Sequence, residues 1–225
     1  MSTGKVVLLV FGVLFLLVSV GLLLGGGALV WANSSLTDSE GFFTTEVRQI
    51  ERDSYAIVTE PADIDLEAGW HWGWRWDWSN FVTFKVEGFN NDTSKQIFIG
   101  IAEESDVRAY LNGVEYDEIT EWSIHPYRVE YTPYPGDSVP TAPTTQTFWA
   151  ESAHGAGTQT LEWEPKTGNW MLVLMNDDGS AGVSLSGAVG VKVPWLFGIG
   201  VGFLVGGIAA LTIGIVMVYF AVRRS

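Results

Sequence analysis

The sequence predicts a mainly β fold: an extracytoplasmic β-sandwich, jelly-roll-like, flanked by two transmembrane helices. Three observations carry that expectation. Uncharged apolar stretches stand near the two ends, 6–31 and 193–222, of 26 and 30 residues. Between them, short runs of strand-forming residues alternate with turn residues. The 225 residues contain no cysteine, so the intervening segment of 160-odd residues relies on an ordinary apolar core without disulfides.

About 20 apolar residues cross a bilayer as a helix, and both stretches exceed that. For the first, a cleaved signal peptide is the competing reading, with Lys5 as its n-region and Val30-Trp31-Ala32 as a loose cleavage site. A signal h-region runs to about 7–15 residues, which favours a retained helix. Lys5 before the first stretch and Arg223 and Arg224 after the second put both termini in the cytoplasm. The expected order is a cytoplasmic N-terminus (1–5), helix (6–31), extracytoplasmic domain (32–192), helix (193–222) and cytoplasmic C-terminus (223–225) in the cell membrane. Trp31 and Trp195 fall at the outer helix boundaries, where indoles favour the interface. Short polar or strand-like approaches on both sides predict a β domain held near the membrane surface.

All 26 acidic residues and nine of the 12 basic ones lie between the stretches, for a formal charge of −17. That charge excludes nucleic acid as a partner and disfavours attraction to anionic lipid. It serves solubility, including in salty surroundings. Neither apolar stretch has an ionisable residue in its interior, which argues against a transporter or channel.

Segments 81–86, 96–101, 107–111, 158–164 and 170–175 read as strands, and Val183-Ser184-Leu185-Ser186 as a last one. Segment 115–124 fits a strand or a short helix, and 138–145, rich in Pro and Thr, a surface loop. Asn90-Asn91-Asp92, Asn112-Gly113, Pro135-Gly136-Asp137 and Asn176-Asp177-Asp178-Gly179 supply the turns. Asn176 to Ser180 also has the oxygen ligands calcium prefers, but without the regular spacing and distal glutamate, so it reads as a hairpin turn. Glu103-Glu104-Ser105-Asp106 reads as a solvated connection.

Trp70, Trp72, Trp74, Trp76 and Trp78 alternate with His71, Gly73, Arg75 and Asp77. On an extended backbone this period puts all five indoles on one face, on the order of 1,000 Å² of ring surface. Such a row must be covered by the protein's own core, a bilayer surface, a ligand or another protein. The same parity continues into Val82, Phe84 and Val86, with Thr83, Lys85 and Glu87 opposite, which favours the core for part of the row. Five large rings are hard to fit inside one small sandwich, so the row is an interface or ligand candidate, with stacking on sugar rings as the natural ligand mode.

Gly198, Gly202, Gly206, Ala210 and Gly214 recur every four residues, with a shorter version in Gly21 and Gly25. Small residues at this spacing let helices approach closely in lipid; the partner is the other helix, a second copy or another membrane protein. Asn33 and Asn91 fit the N-glycosylation pattern. His71, His125 and His154 have no metal-binding spacing, no Gly-x-Ser-x-Gly elbow is present, and no catalytic residue, metal or cofactor is expected.

Phe98-Ile99-Gly100-Ile101-Ala102, Asp106-Val107-Arg108-Ala109-Tyr110-Leu111, Phe148-Trp149, Gly157-Thr158-Gln159-Thr160-Leu161, Gly168-Asn169-Trp170 and Met175-Asn176-Asp177-Asp178-Gly179-Ser180 resemble an uncharacterised, mainly actinobacterial family of two-helix membrane proteins. The resemblance covers the second half of the external domain and its entry into the second helix. It implies the same topology and no activity, and the tryptophan row departs from it. The expectation is therefore a non-enzymatic structural or accessory subunit that meets membrane lipid and another membrane protein or its own copy. The alternative is a surface module that binds an envelope glycan or similar ligand through the tryptophans.

Overall fold

The computed structural model describes residues 3–65, 82–124 and 127–223. In chain order the elements are α1 (Thr3–Ser35), β1 (Phe43–Arg52), β2 (Ala56–Thr59), β3 (Ala62–Ile64), β4 (Thr83–Asn90), β5 (Ile97–Glu103), α2 (Glu104–Tyr110), β6 (Tyr116–Ile124), β7 (Tyr127–Tyr134), β8 (Glu151–Gly155), β9 (Gln159–Trp163), β10 (Gly168–Asn176), β11 (Val183–Lys192) and α3 (Trp195–Val222). They form two compact units, Met1–Phe43 with Val193–Ser225, and Thr44–Lys192.

In the first unit, α1 and α3 are long and apolar enough to cross a membrane. They pack on each other through small residues. Gly12, Ser19 and Gly26 are the buried positions of α1, and Gly200, Gly207, Ala210, Gly214 and Ala221 those of α3. Each set repeats every seven residues, with Ala210 as an extra. The period keeps one face of an α-helix turned to a neighbour. The approach is backbone to backbone: a Cβ on Gly26 would stand 2.7 Å from the Gly200 carbonyl oxygen, and one on Gly214 3.0 Å from that of Gly12. The pairing is antiparallel, and at one end Lys5 Nζ donates to the Arg223 carbonyl at 3.0 Å.

The second unit holds two sheets. One has four strands in the order β1-β11-β4-β9; the other has seven, in the order β7-β6-β2-β10-β5-β8 with β3 paired to β10. β10 runs antiparallel to β2, β3 and β5, as do β11 to β4, β4 to β9, β5 to β8 and β6 to β7, whereas β2 and β6 are parallel, which makes the larger sheet mixed. Along β10 the side chains divide cleanly. Met171, Val173 and Met175 join Phe98, Ala102 and Val58 in one apolar cluster with Val107 and Leu111. Trp170, Leu172 and Leu174 belong to a second cluster with Ile97, Ile99 and Ile101, completed by Ile50, Leu161, Trp163, Val183 and Leu185 of the smaller sheet. The centre of the larger sheet is thus buried on both faces, which is why β5 reads Ile-Phe-Ile-Gly-Ile-Ala without alternation. Gly100 is required there: a Cβ would lie 2.6 Å from Phe98 Cε1 and 2.8 Å from Trp149 Cε3.

Segment 107–111, expected as a strand, lies instead in α2 and its C-cap. Val107 and Leu111, one helical turn apart, are both buried against the sheet, and Arg108 pairs with Glu104 at 2.7 Å across the same turn. Glu104 and Asp106 are therefore first-turn helix residues, where acidic side chains favour the dipole, and not a loose connection. Segment 115–124 is the strand β6. The loop expected over 138–145 is present, with a short 3-10 turn at Pro143–Thr145.

Candidate functional site

Between the two sheets runs an apolar cleft of about 100 Å³, lined by strands of both. Its deep wall is Ile97 and Ile99 of β5 and Leu172 and Leu174 of β10; its rim carries Trp122 of β6 and Val47 of β1. Ile97 and Ile99 are fully buried, whereas Trp122 is 40% exposed, so the cleft runs from core to surface. Trp122 stands opposite Val129 of β7, and both border the opening.

The smaller sheet comes close to the deep wall: a Cβ on Gly88 would stand 2.9 Å from Ile97 Cδ1 and 3.4 Å from Ile99 Cδ1. Gly88 of β4 and Gly187 of β11 are directly paired, so two facing positions lack side chains. Gly187 has no alternative, since a Cβ there would meet the Glu87 carbonyl oxygen at 1.9 Å. Val86 and Val189 form the next pair but one along the same strands and also line the cleft. On the opposite face of β4, Lys85 is buried and ion-paired with Glu87 at 3.2 Å.

A polar cluster stands elsewhere in the same unit. Asp117 of β6 accepts from Arg52 Nη2 at 2.6 Å and from Ser54 Oγ at 2.8 Å. Burial pushes the Asp117 carboxyl up, but those two hydrogen bonds and the Arg52 charge outweigh it and hold it below the usual carboxylate range. Its hydrogen bond raises Arg52, whose guanidinium also lies 4.7 Å from the centre of the Tyr131 ring. Burial pushes the Tyr110 hydroxyl up to about 12, and this hydroxyl donates to the Thr141 carbonyl at 2.6 Å. These groups are paired among themselves and hold strands and loops together.

The tryptophan row, Trp70 to Trp78, lies outside the described residues, as do His71 and His125. Of the four-spaced stripe, Ala210 and Gly214 are in the α1–α3 contact. Gly206 only grazes it, its Cβ position lying 3.9 Å from Leu22 Cδ1, and Gly198 and Gly202 have nothing within 4 Å. A spacing of four overshoots a helical turn by about 40° per step, so such a stripe winds off any single face. Asn33 lies in the last turn of α1. The Asn91 amide donates to Ser184 Oγ at 3.3 Å and accepts from Ser186 Oγ at 3.0 Å. His154 sits on β8 with its ring 6.4 Å from that of Phe98.

Asn176 to Ser180 forms a closed turn. The Gly179 amide donates to the Asn176 carbonyl, and the Ser180 amide to Asp178 Oδ1. The cleft residues escaped the sequence reading because a wall of Ile, Leu and Val looks like any core. The one available signal was Gly88 and Gly187 inside strands, where glycine marks close approach or missing packing.

Comparison with protein-family models, with curated proteins and with solved structures finds no match to this chain.

Proposed function

We propose that this chain is a two-pass membrane protein with both termini cytoplasmic. In this reading α1 and α3 form a helical hairpin, and the β unit between them is an extracytoplasmic sandwich of jelly-roll-like form. It acts without catalysis, as a structural or accessory subunit. The observation that carries the reading is the α1–α3 contact. Removal of α1 as a signal peptide would leave Gly200, Gly207 and Gly214 of α3 without the backbone they pack on. The basic residues Lys5 and Arg223 share one end of the pair, as residues kept on the cytoplasmic side would. Gly198 and Gly202 leave a narrow outward strip on α3 where a partner helix could approach.

Because the chain has no cysteine, single cysteines report topology directly. Ser138→Cys should react with a membrane-impermeant maleimide in intact cells, and Thr3→Cys only after lysis. The reverse pattern would overturn the orientation. Purification in mild detergent then tests the accessory role: a stoichiometric membrane companion supports it, and a lone monomer counts against it. The apolar cleft favours a second reading, a membrane-anchored binding module.

A further inference from the structure

We infer that the cleft between the sheets binds one unbranched aliphatic chain, with the polar head left at the Trp122 rim; this rests on the membrane-anchored reading for the supply of such chains. Three features point to it. The first is the wall. Ile97, Ile99, Leu172 and Leu174 offer methyl groups from one side and Val86 from the other. An apolar cavity of that kind gives water too few hydrogen-bonding partners, whereas a hydrocarbon regains the contacts its lining lacks. The polar residues along the cleft are already engaged: Thr59 Oγ1 accepts from the Leu172 amide at 3.1 Å, Ser186 Oγ donates to Asn91 Oδ1 at 3.0 Å, and Glu87 is ion-paired with Lys85.

The second is size. About 100 Å³ holds on the order of three or four groups as large as a methylene or a water, the last carbons of a chain. That suits a stretch of one chain and is too small for a fused ring system or a paired-tail lipid taken whole. The third is the opening. Trp122, 40% exposed at the rim, has an apolar ring to flank a chain and an indole N–H to meet a polar head.

The chain could come from a bilayer phospholipid or from a free amphiphile, and two probes separate these sources. Full-length protein in phosphatidylcholine vesicles is irradiated with phosphatidylcholine carrying a diazirine near the end of one acyl chain. A parallel sample receives a long-chain alcohol with a terminal diazirine. Labelled peptides are located by mass spectrometry.

The expected result is label on the β4–β5 and β11 peptides, competed away by excess unlabelled alcohol. Val86→Phe, which fills the cleft, should cut that label about tenfold while the label on α1 and α3 stays the same. Leu174→Phe provides a second filling variant if the first fails to fold. Label from the phospholipid identifies a bilayer tail, and label from the alcohol alone a free amphiphile; either supports the site. Label confined to α1 and α3 overturns the cleft while leaving the anchor standing. Label on neither unit overturns both. Label on the β unit that survives the filling variants or the competitor also overturns the cleft.

Discussion

Asn176 ends β10 by turning its amide inward. It is fully buried, its Nδ2 donates to the Ser180, Ala181 and Gly182 carbonyls, and its Oδ1 accepts from Asn90 Nδ2 at 2.8 Å. One side chain therefore ties the β10–β11 turn to β4. Asn176→Ala strands several buried groups at once and should cost about 2–4 kcal/mol, read as a lower denaturation midpoint of the full-length protein in detergent. Asp117 sets an acid limit. Its native carboxyl sits below its usual value, so the unfolded chain takes up protons first as pH falls. The stability from the Arg52–Asp117–Ser54 cluster is complete above the usual carboxylate range and disappears as pH drops below about 4. Asp92 and Asp178 shift the same way, each held down first by a serine hydroxyl, Ser94 and Ser180. Asp117→Asn should flatten the loss of stability between pH 5 and pH 3 found in the parent, values that bracket the ordinary carboxylate range of about 3.9.

At the scale of elements, the helix pair separates two kinds of glycine. Gly207→Leu would drive a branched side chain into Leu23, whose Cγ lies 2.8 Å from the Cβ position. It should weaken the α1–α3 pairing by about 1–3 kcal/mol, seen as a lower unfolding midpoint in detergent. Gly202→Leu meets nothing within 4 Å and should leave that midpoint unchanged. If an outside helix uses that strip, the same variant loses the companion in native purification. The elements differ in how openly the sequence displays them. β5 and β10 stand out because burial on both faces makes them continuous apolar runs. α2 is hidden because Val107 and Tyr110 favour strands, and the 104–108 and 107–111 spacings are what betray a helix. β1 carries charge on both faces and β2 and β3 are too short for a period to show, whereas β7 keeps Arg128 and Glu130 on one face and Val129 and Tyr131 on the other, an alternation the sequence does display. For the helix contact, the small residues were visible but their register was not. The four-residue repeat is obvious to the eye, while the packed face follows the seven-residue one.

Over the whole molecule, a charge of −17 sits on the segment between the apolar stretches, while the interior is held by two apolar clusters and a few ion pairs. Like charges at that density repel one another in the folded state, and salt screens them with a Debye length near 10 Å at 0.1 M. The denaturation midpoint should therefore rise between 0.05 and 1 M potassium chloride, the reverse of what a fold held by surface ion pairs would show. A midpoint that falls with salt would mean that specific pairs outweigh the general repulsion.

The place of β11 bears on how the chain is made. It is the last strand in sequence, yet it lies between β1, the first, and β4. Until residues 183–192 leave the ribosome, the smaller sheet is split, with β1 on one side of a gap and β4–β9 on the other. The missing strand is followed after two residues by α3, the partner of α1. Closure of the sheet and pairing of the helices thus await the same stretch of chain, residues 183–222. A chain stopped short of residue 183 would carry unpaired strand edges and an unpartnered apolar helix together, two marks by which quality control could recognise it.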